Sequence, residues 1–351
     1  MLRHALEERD IETGFLSLRE QPVGRPILVQ PLSVPAIRRK AAQYDFIHAG
    51  GNAAYTAAFL KKSIGARLIH DVHGDGLSEA KLKWEARHDP TSAFWVMQAW
   101  VADAIAYRRS DYYLVVSRPL EKRLIEEKRI SADKIGLVRN GVDLELFSNP
   151  KSKIQNPKLS GPREAGQPFT VCYAGGFQAW QGLDNLVGAV ELLPDENVRL
   201  KIIGFTDKYA DLKASIAGRL GDRVEMVDRV SQPELIAHLA TADALVIPRS
   251  PHPAVEVAFP TKFSEYLALG KPVIVCNVDE TARLVRENHC GLVSESSDPQ
   301  SLAETIRAAS RLAPSELDQM GSNARCLAER ELSWPVIGRN YVELLTKWSE
   351  R

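Results

Sequence analysis

Short apolar runs alternate along the chain with longer segments whose apolar positions recur every three or four residues. That alternation predicts parallel strands covered on both faces and joined by helices, an α/β architecture. In the first half, Gly14–Leu18, Phe46–Ala49, Ala66–Asp71, Tyr112–Ser117 and Ile135–Val138 read as strands. In the second half, Thr170–Tyr173, Leu200–Ile203, Val224–Val227, Ala244–Ile247, Val273–Cys276 and Gly291–Val293 do. Between them "SNPKSKIQNPKLSGPREAGQPF" is rich in Pro, Gly, Ser and Lys and poor in large apolar residues, which reads as a linker. The expected organisation is a doubly wound domain over 1–150, a linker over 151–167, a second doubly wound domain over 168–330, and a C-terminal amphipathic helix within 331–351 returning to the first. Two such domains would face a cleft with the carboxyl ends of their strands, where sheets of this kind bind ligands.

One helix in the second half raises a question of charge. "PTKFSEYLALGKPVIVC" predicts a helix with Thr261 as N-cap and Phe263, Tyr266, Leu267 and Leu269 on its apolar face, stopped by Gly270 and Pro272. Lys262 then sits in the first turn, where a cation opposes the helix dipole. Either it is a solvated side chain or an anion joins it there, and a phosphate is the usual anion at a helix start.

Composition narrows the field. The 351 residues include 44% hydrophobic and 26% charged residues, a globular balance. Forty-five Lys and Arg against forty-five Asp and Glu leave no field that would attract nucleic acid. Cys172 and Cys276 fall in strand-like runs, and no two of the four cysteines show a paired spacing, so reduced thiols and a cytoplasmic chain are expected. No stretch is apolar enough to span a bilayer, and the first residues do not read as a signal peptide. The long helix carrying Trp84, Trp95 and Trp100, with Arg108 and Arg109, has two readings: aromatics turned into the core, or a peripheral contact with a membrane or lipid-linked acceptor. The core reading is preferred.

Three loops of the second half are candidates for chemistry. Gly175 and Gly176 follow a strand and precede Phe177, Trp180, Gln181 and Gly182, letting the backbone approach a ligand closely. The spacing is not that of a dinucleotide fingerprint. "VIPRSPHPAVEVAFPTK" is a long, proline-stiffened connection bracketed by Arg249 and Lys262, with Glu265 one turn into the helix. Gly204 ends "LKIIG" and would help shape a base pocket. In the first half, Asp71-Val72-His73-Gly74-Asp75 follows a strand and offers His73. No Asp-x-Asp pair or histidine cluster has metal-ligand spacing, so no metal is expected.

"YAGGFQAWQGLDNL", "LKIIGF", "ELIAHLATADALVIPRS", "PTKFSEYLALGKPVIV" and "NHCGLV" resemble the nucleotide-sugar domain of family 4-like retaining glycosyltransferases (glycosyl transferases group 1) of the GT-B fold. "YDFIHAGG", "DVHGD", "DYYLVVS" and "VRNGVDLELF" resemble its acceptor domain. The resemblance runs in order from about Tyr44 to the C-terminus. It implies that Pro260, Thr261, Lys262 and Glu265 meet the diphosphate and ribose of a nucleotide-diphospho-sugar, that His73 contacts the transferred sugar, and that Asn140–Asp143 lies near the domain junction.

The chain departs from that pattern in three places. The family's pair of glutamates keeps its second member, Glu265, while Val257 stands at the first position and Glu256 lies one residue out of register. A basic residue common before the glycine of the first loop is Gln181. The chain opens on the helix-like "MLRHALEERD" and the run "TGFLSLRE" rather than on an apolar strand with a glycine-rich loop.

The resulting expectation is metal-independent, retaining sugar transfer to a glycan, lipid-linked glycan or small molecule. Lys262, His73 and Glu265 would be at the chemistry, and Gly175, Gly176, Phe177, Gly204, Arg249, Pro260 and Thr261 would line the donor site. The donor is a substrate and no cofactor is expected. The cytoplasm or the inner face of the plasma membrane is the expected place. Two alternatives stay open: an inactive relative acting through protein contacts, and a sugar-nucleotide epimerase of the same fold.

Overall fold

The computed structural model describes residues 6–7, 11–14, 39, 41–63, 65–147 and 166–351. The chain divides into two compact units. One comprises Met1–Arg139, Val257–Phe259 and Ile337–Arg351; the other comprises Asn140–Glu256 and Pro260–Val336.

The first unit holds a parallel sheet of β1 (Phe46–Gly50), β2 (Arg67–Val72), β3 (Tyr112–Val115) and β4 (Ile135–Leu137), in that spatial order. The helices of the β2–β3 and β3–β4 crossovers begin at side-chain caps. Asp75 caps Gly76–Arg87, Asp89 forms a capping box at the start of Pro90–Arg109, and Ser117 caps Arg118–Glu126. The C-terminal helix Trp334–Ser349 supplies much of this unit's core. Tyr341, Leu345 and Trp348 pack with Ile69, Tyr112 and Leu114, and Trp348 stacks on Tyr112 with ring centroids 4.5 Å apart.

Among the described residues β1 pairs with a strand on one side only. Of the strand expected at Gly14–Leu18, Gly14 is described and is not in a strand; the remainder lies outside the described residues. The opening helix is described only at Leu6 and Glu7, which are helical. The expected linker 151–167 lies outside the described residues except for Gly166 and Gln167.

One expectation is overturned here. Trp95 and Trp100 are not core residues: they are 50% and 61% exposed, and Trp84 is exposed as well. The inward side of Pro90–Arg109 is taken by smaller residues, with Ser92, Asp103 and Ala106 buried. Periodicity alone does not say which side of this helix faces in, because the stretch from Pro90 to Ala102 carries no charge to mark an outer face.

The second unit holds β5 (Phe169–Ala174), β6 (Val198–Phe205), β7 (Val224–Asp228), β8 (Ala244–Ile247), β9 (Val273–Cys276) and β10 (Gly291–Ser294). They form one parallel sheet in the order β10-β9-β8-β5-β6-β7. β8 and β9 are buried at every position, as continuous apolar runs covered by helices on both faces should be. The strand order reverses at β5, which lies between β6 and β8. The carboxyl ends of β5 and β8 therefore flank the topological switch point, the place where open α/β sheets bind ligands. Cys172, Cys276 and Cys290 are buried free thiols, each pushed up to about 12 by burial.

Candidate active site

The helix Thr261–Ala268 brings Lys262 to the switch point. Tyr266, fully buried one turn further on, fixes the helix to the end of β5: the Ala174 N–H donates to its hydroxyl at 3.0 Å. Lys262 lies on the same helix face, one turn nearer the N-terminus, and so reaches past the strand end. Its ammonium sits 4.4 Å from the centre of the Tyr173 ring and donates to Gln181 Oε1 at 3.2 Å and to the Tyr173 hydroxyl at 3.4 Å. A Cβ on Gly175 would lie 2.6 Å from Lys262 Nζ, and Gly175 has φ +144°. Its glycine identity thus answers two demands, the backbone conformation and the space that the ammonium fills.

Thr261 is the first helical residue rather than the N-cap. Pro260 holds the cap position, and no side chain caps this helix end. The one-residue difference matters: a threonine cap would have filled the first-turn N–H groups that an anion needs.

The loops after β5 and β8 are tied together. Gly182 has φ +73°, and a Cβ there would lie 1.7 Å from the Pro248 carbonyl oxygen. The Ser250 N–H donates to the Trp180 carbonyl at 3.1 Å. Gly204 packs in the same way: a Cβ would meet the Gly175 carbonyl at 2.9 Å, so its lack of a side chain brings the end of β6 against the first loop. Phe177 is half-buried against Phe205 and Tyr209, with ring centroids 4.6 and 4.8 Å away.

Arg249 does not stand free at the end of β8. It is buried and its guanidinium pairs with the buried Asp279 at 2.6 Å. The buried pair also acts on the site through its field. That field is felt: burial first, and then the charge of Arg249, pull the Lys262 ammonium from 10.5 down to about 7, with Glu265 acting the other way. Burial raises the Glu265 carboxyl above its ordinary range, and Lys262 opposes that rise. Lys262 and Glu265 therefore hold each other's charge in a site that partly excludes water. Val257 is buried, its carbonyl accepting a hydrogen bond from Ser117 at 2.5 Å, and Glu256 ends the short helix Pro253–Glu256.

His73 belongs to the other unit and follows β2. Its Nε2 lies 2.9 Å from Asp71 Oδ2, and His48 Nε2 approaches the same oxygen at 2.8 Å. His48 Nδ1 is 2.8 Å from the Tyr341 hydroxyl on the C-terminal helix. Burial works against the Asp71 carboxylate, but hydrogen bonds from the two histidines outweigh it and hold the carboxyl below its ordinary range.

A six-stranded parallel sheet with an uncapped helix start at its switch point, in a chain that holds a second parallel-sheet unit, sets the comparison with known proteins. Residues 157–326 match the family of glycosyl transferases group 1, and residues 5–146 match Glycosyltransferase Family 4. Both halves of the chain thus match glycosyltransferase families, and the chain is a glycosyltransferase. This glycosyltransferase is 26% identical over 329 residues to the amylovoran biosynthesis glycosyltransferase AmsK of Erwinia amylovora, covering 91% of the chain and 74% of that relative. Against two D-inositol 3-phosphate glycosyltransferases it spans 61% and 72% of their lengths.

Solved structures share the fold. Sucrose-phosphate synthase of Thermosynechococcus elongatus aligns with a TM-score of 0.74 at 21% identity, over 95% of this chain and 82% of its own. The Anabaena protein Alr3699/HepE in complex with UDP-glucose aligns with a TM-score of 0.68 at 22% identity, over 98% and 88%. The glycosyltransferase thus has the GT-B architecture of two Rossmann-like parallel-sheet domains.

Sequence reasoning singled out Lys262, Glu265 and the paired glycines, and the fold gathers these at one strand end. It missed Tyr173, Asp279, Asp71 and His48 as supporting residues. Asp279 carries a signal of its own, since an aspartate before "ETARLV" reads as an N-cap, but nothing local links it to Arg249.

Proposed function

We propose that this glycosyltransferase takes a nucleotide-diphospho-sugar, binds its diphosphate at Lys262 and the start of the Thr261–Ala268 helix, and transfers the sugar with retention and without a metal. The observation that carries this reading is the placement of the Lys262 ammonium over Gly175 at the switch point, with no side-chain cap on the helix it begins. An arriving diphosphate would take the place of Gln181 as partner of Lys262 and restore its full charge. Glu265 would accept hydrogen bonds from ribose hydroxyls.

In the transfer, the bond from the anomeric carbon to the diphosphate oxygen breaks and its electron pair stays with the diphosphate. The acceptor hydroxyl attacks from the same face, and its proton passes to the departing phosphate oxygen. Fixed donors aimed at such developing charge are each worth about 2.7–4 kcal/mol, by analogy with single oxyanion donors. His73, oriented by Asp71, would contact the sugar. UDP-glucose bound to the Anabaena neighbour makes uridine the first base to test. The acceptor is a glycan, a lipid-linked glycan or a small hydroxylated molecule, and buried reduced thiols favour a cytoplasmic setting.

The test is a thermal-shift panel of UDP-, GDP-, ADP- and dTDP-sugars on the wild type and on Lys262→Ala. Ligand at a hundred times its Kd adds about 2.7 kcal/mol of stability, a shift of several degrees. Stabilisation by one nucleotide class, lost in the variant, supports the reading; stabilisation that survives in Lys262→Ala places the diphosphate elsewhere.

A further inference from the structure

Among the described residues, eight large apolar side chains are exposed, and seven of them lie on three successive helices of the first unit. Phe59 is on Asn52–Leu60, Trp84 on Gly76–Arg87, and Phe94, Trp95, Met97, Trp100 and Val101 on Pro90–Arg109. The three helices form one layer, since Pro90–Arg109 packs against both of the others. From Pro90 to Ala102 there is no charged residue at all. A patch of this kind on a soluble fold marks a surface that something covers.

The charges around it point to what that is. Lys62, Lys81, Lys83, Arg108 and Arg109 are exposed on this layer, against exposed Glu79 and Glu85. The other nearby carboxylates are already committed. Asp89 caps its helix, buried Asp103 accepts from Tyr55 at 3.0 Å, and Asp111 is paired with Lys61. Arg109 also donates to the Ala58 and Phe59 carbonyls, tying the end of its helix to Asn52–Leu60. Tryptophans between lysines and arginines suit a bilayer interface, with rings at headgroup depth and cations against anionic lipid.

We propose that this three-helix layer docks the protein on an anionic membrane surface, with Trp95 and Trp100 as the inserting side chains and Lys81 and Arg108 as electrostatic contacts. Docking of this kind is reversible and independent of the donor site. No helix among the described residues is long and apolar enough to cross a membrane.

The test is co-sedimentation of the full chain with vesicles of phosphatidylcholine alone and of phosphatidylcholine with phosphatidylglycerol in equal parts. Binding is expected on the anionic vesicles, weakened by added salt, with a blue shift of tryptophan emission. Trp95→Ser with Trp100→Ser should lower partitioning by roughly tenfold or more, and Lys81→Gln with Arg108→Gln should lower it on anionic vesicles only. Because all four side chains are exposed, the variants should melt like the wild type, which separates lost docking from lost folding. Equal binding by wild type and the tryptophan variant, or no binding by either, overturns the proposal. A dimer in light scattering that the tryptophan substitutions dissociate, without vesicle binding, assigns the face to a second copy of the chain instead.

Discussion

The Lys262 ammonium occupies the space that a side chain at residue 175 would fill, 2.6 Å from where a Cβ on Gly175 would lie. Gly175→Ala should therefore push Lys262 off the Tyr173 ring and strain a backbone held at φ +144°. Strain of this kind costs about 1–3 kcal/mol. Calorimetry should show a moderately lower Tm and isothermal titration a donor affinity lower by roughly tenfold or more. Unchanged donor affinity would show that the position of Lys262 over the glycine has no part in binding.

The depressed ammonium sets a pH dependence. Lys262 ionises near 7 in the fold and near 10.5 when unfolded, so between those values the unfolded chain holds more protons. Stability of the ligand-free protein should rise with pH across that window, and Lys262→Met should flatten the rise. Donor binding should run the other way, because a diphosphate favours the charged lysine. Its affinity should be level below about pH 6 and fall by up to about tenfold per unit above 7.

Glu265 shares a field with Lys262, so its removal has two signatures. Glu265→Gln deletes the carboxylate that supports the ammonium, and the midpoint of the donor-affinity profile should move below 7. Loss of charged hydrogen bonds to the ribose should also weaken nucleotide binding by about 1.5–3 kcal/mol. Titration of a nucleoside diphosphate against its 2′,3′-dideoxy analogue separates the two: the variant should lose the preference for the ribose hydroxyls.

Arg249 and Asp279 form a buried pair whose partners depend on each other. Asp279→Ala leaves a guanidinium without its counter-charge and should cost about 3–5 kcal/mol, lowering Tm by on the order of 10 °C. Arg249→Met combined with Asp279→Leu should recover most of that loss. If the double variant is no more stable than the single one, the aspartate stabilises chiefly through its helix cap.

In the first unit, Asp71 serves two histidines through one oxygen. Its carboxyl is held below the ordinary range, so its stabilisation is present above about pH 4 and is lost as pH falls through the depressed value. Asp71→Asn should be about 1.5–3 kcal/mol less stable at neutral pH, with the difference narrowing in acid. Urea unfolding at a series of pH values measures it.

The chain's own residues determined the ten described strands, because continuous apolar runs between turn signals can be buried only as covered strands. They also determined the stop at Gly270, which takes φ +65° just past the helix end, and the glycines at the switch point. Tertiary structure decided the rest. Tyr173 and Gln181 lie 89 and 81 residues from Lys262, and only strand order makes them its neighbours. Pairing with Asp279 made Arg249 a buried source of field rather than a free cation. Packing also turned Trp95 and Trp100 outward, because the uncharged stretch from Pro90 to Ala102 looks much the same from every side until its neighbours choose one. A periodic pattern fixes which residues can share a face; which face is covered, and which distant side chains meet there, depends on the assembled fold.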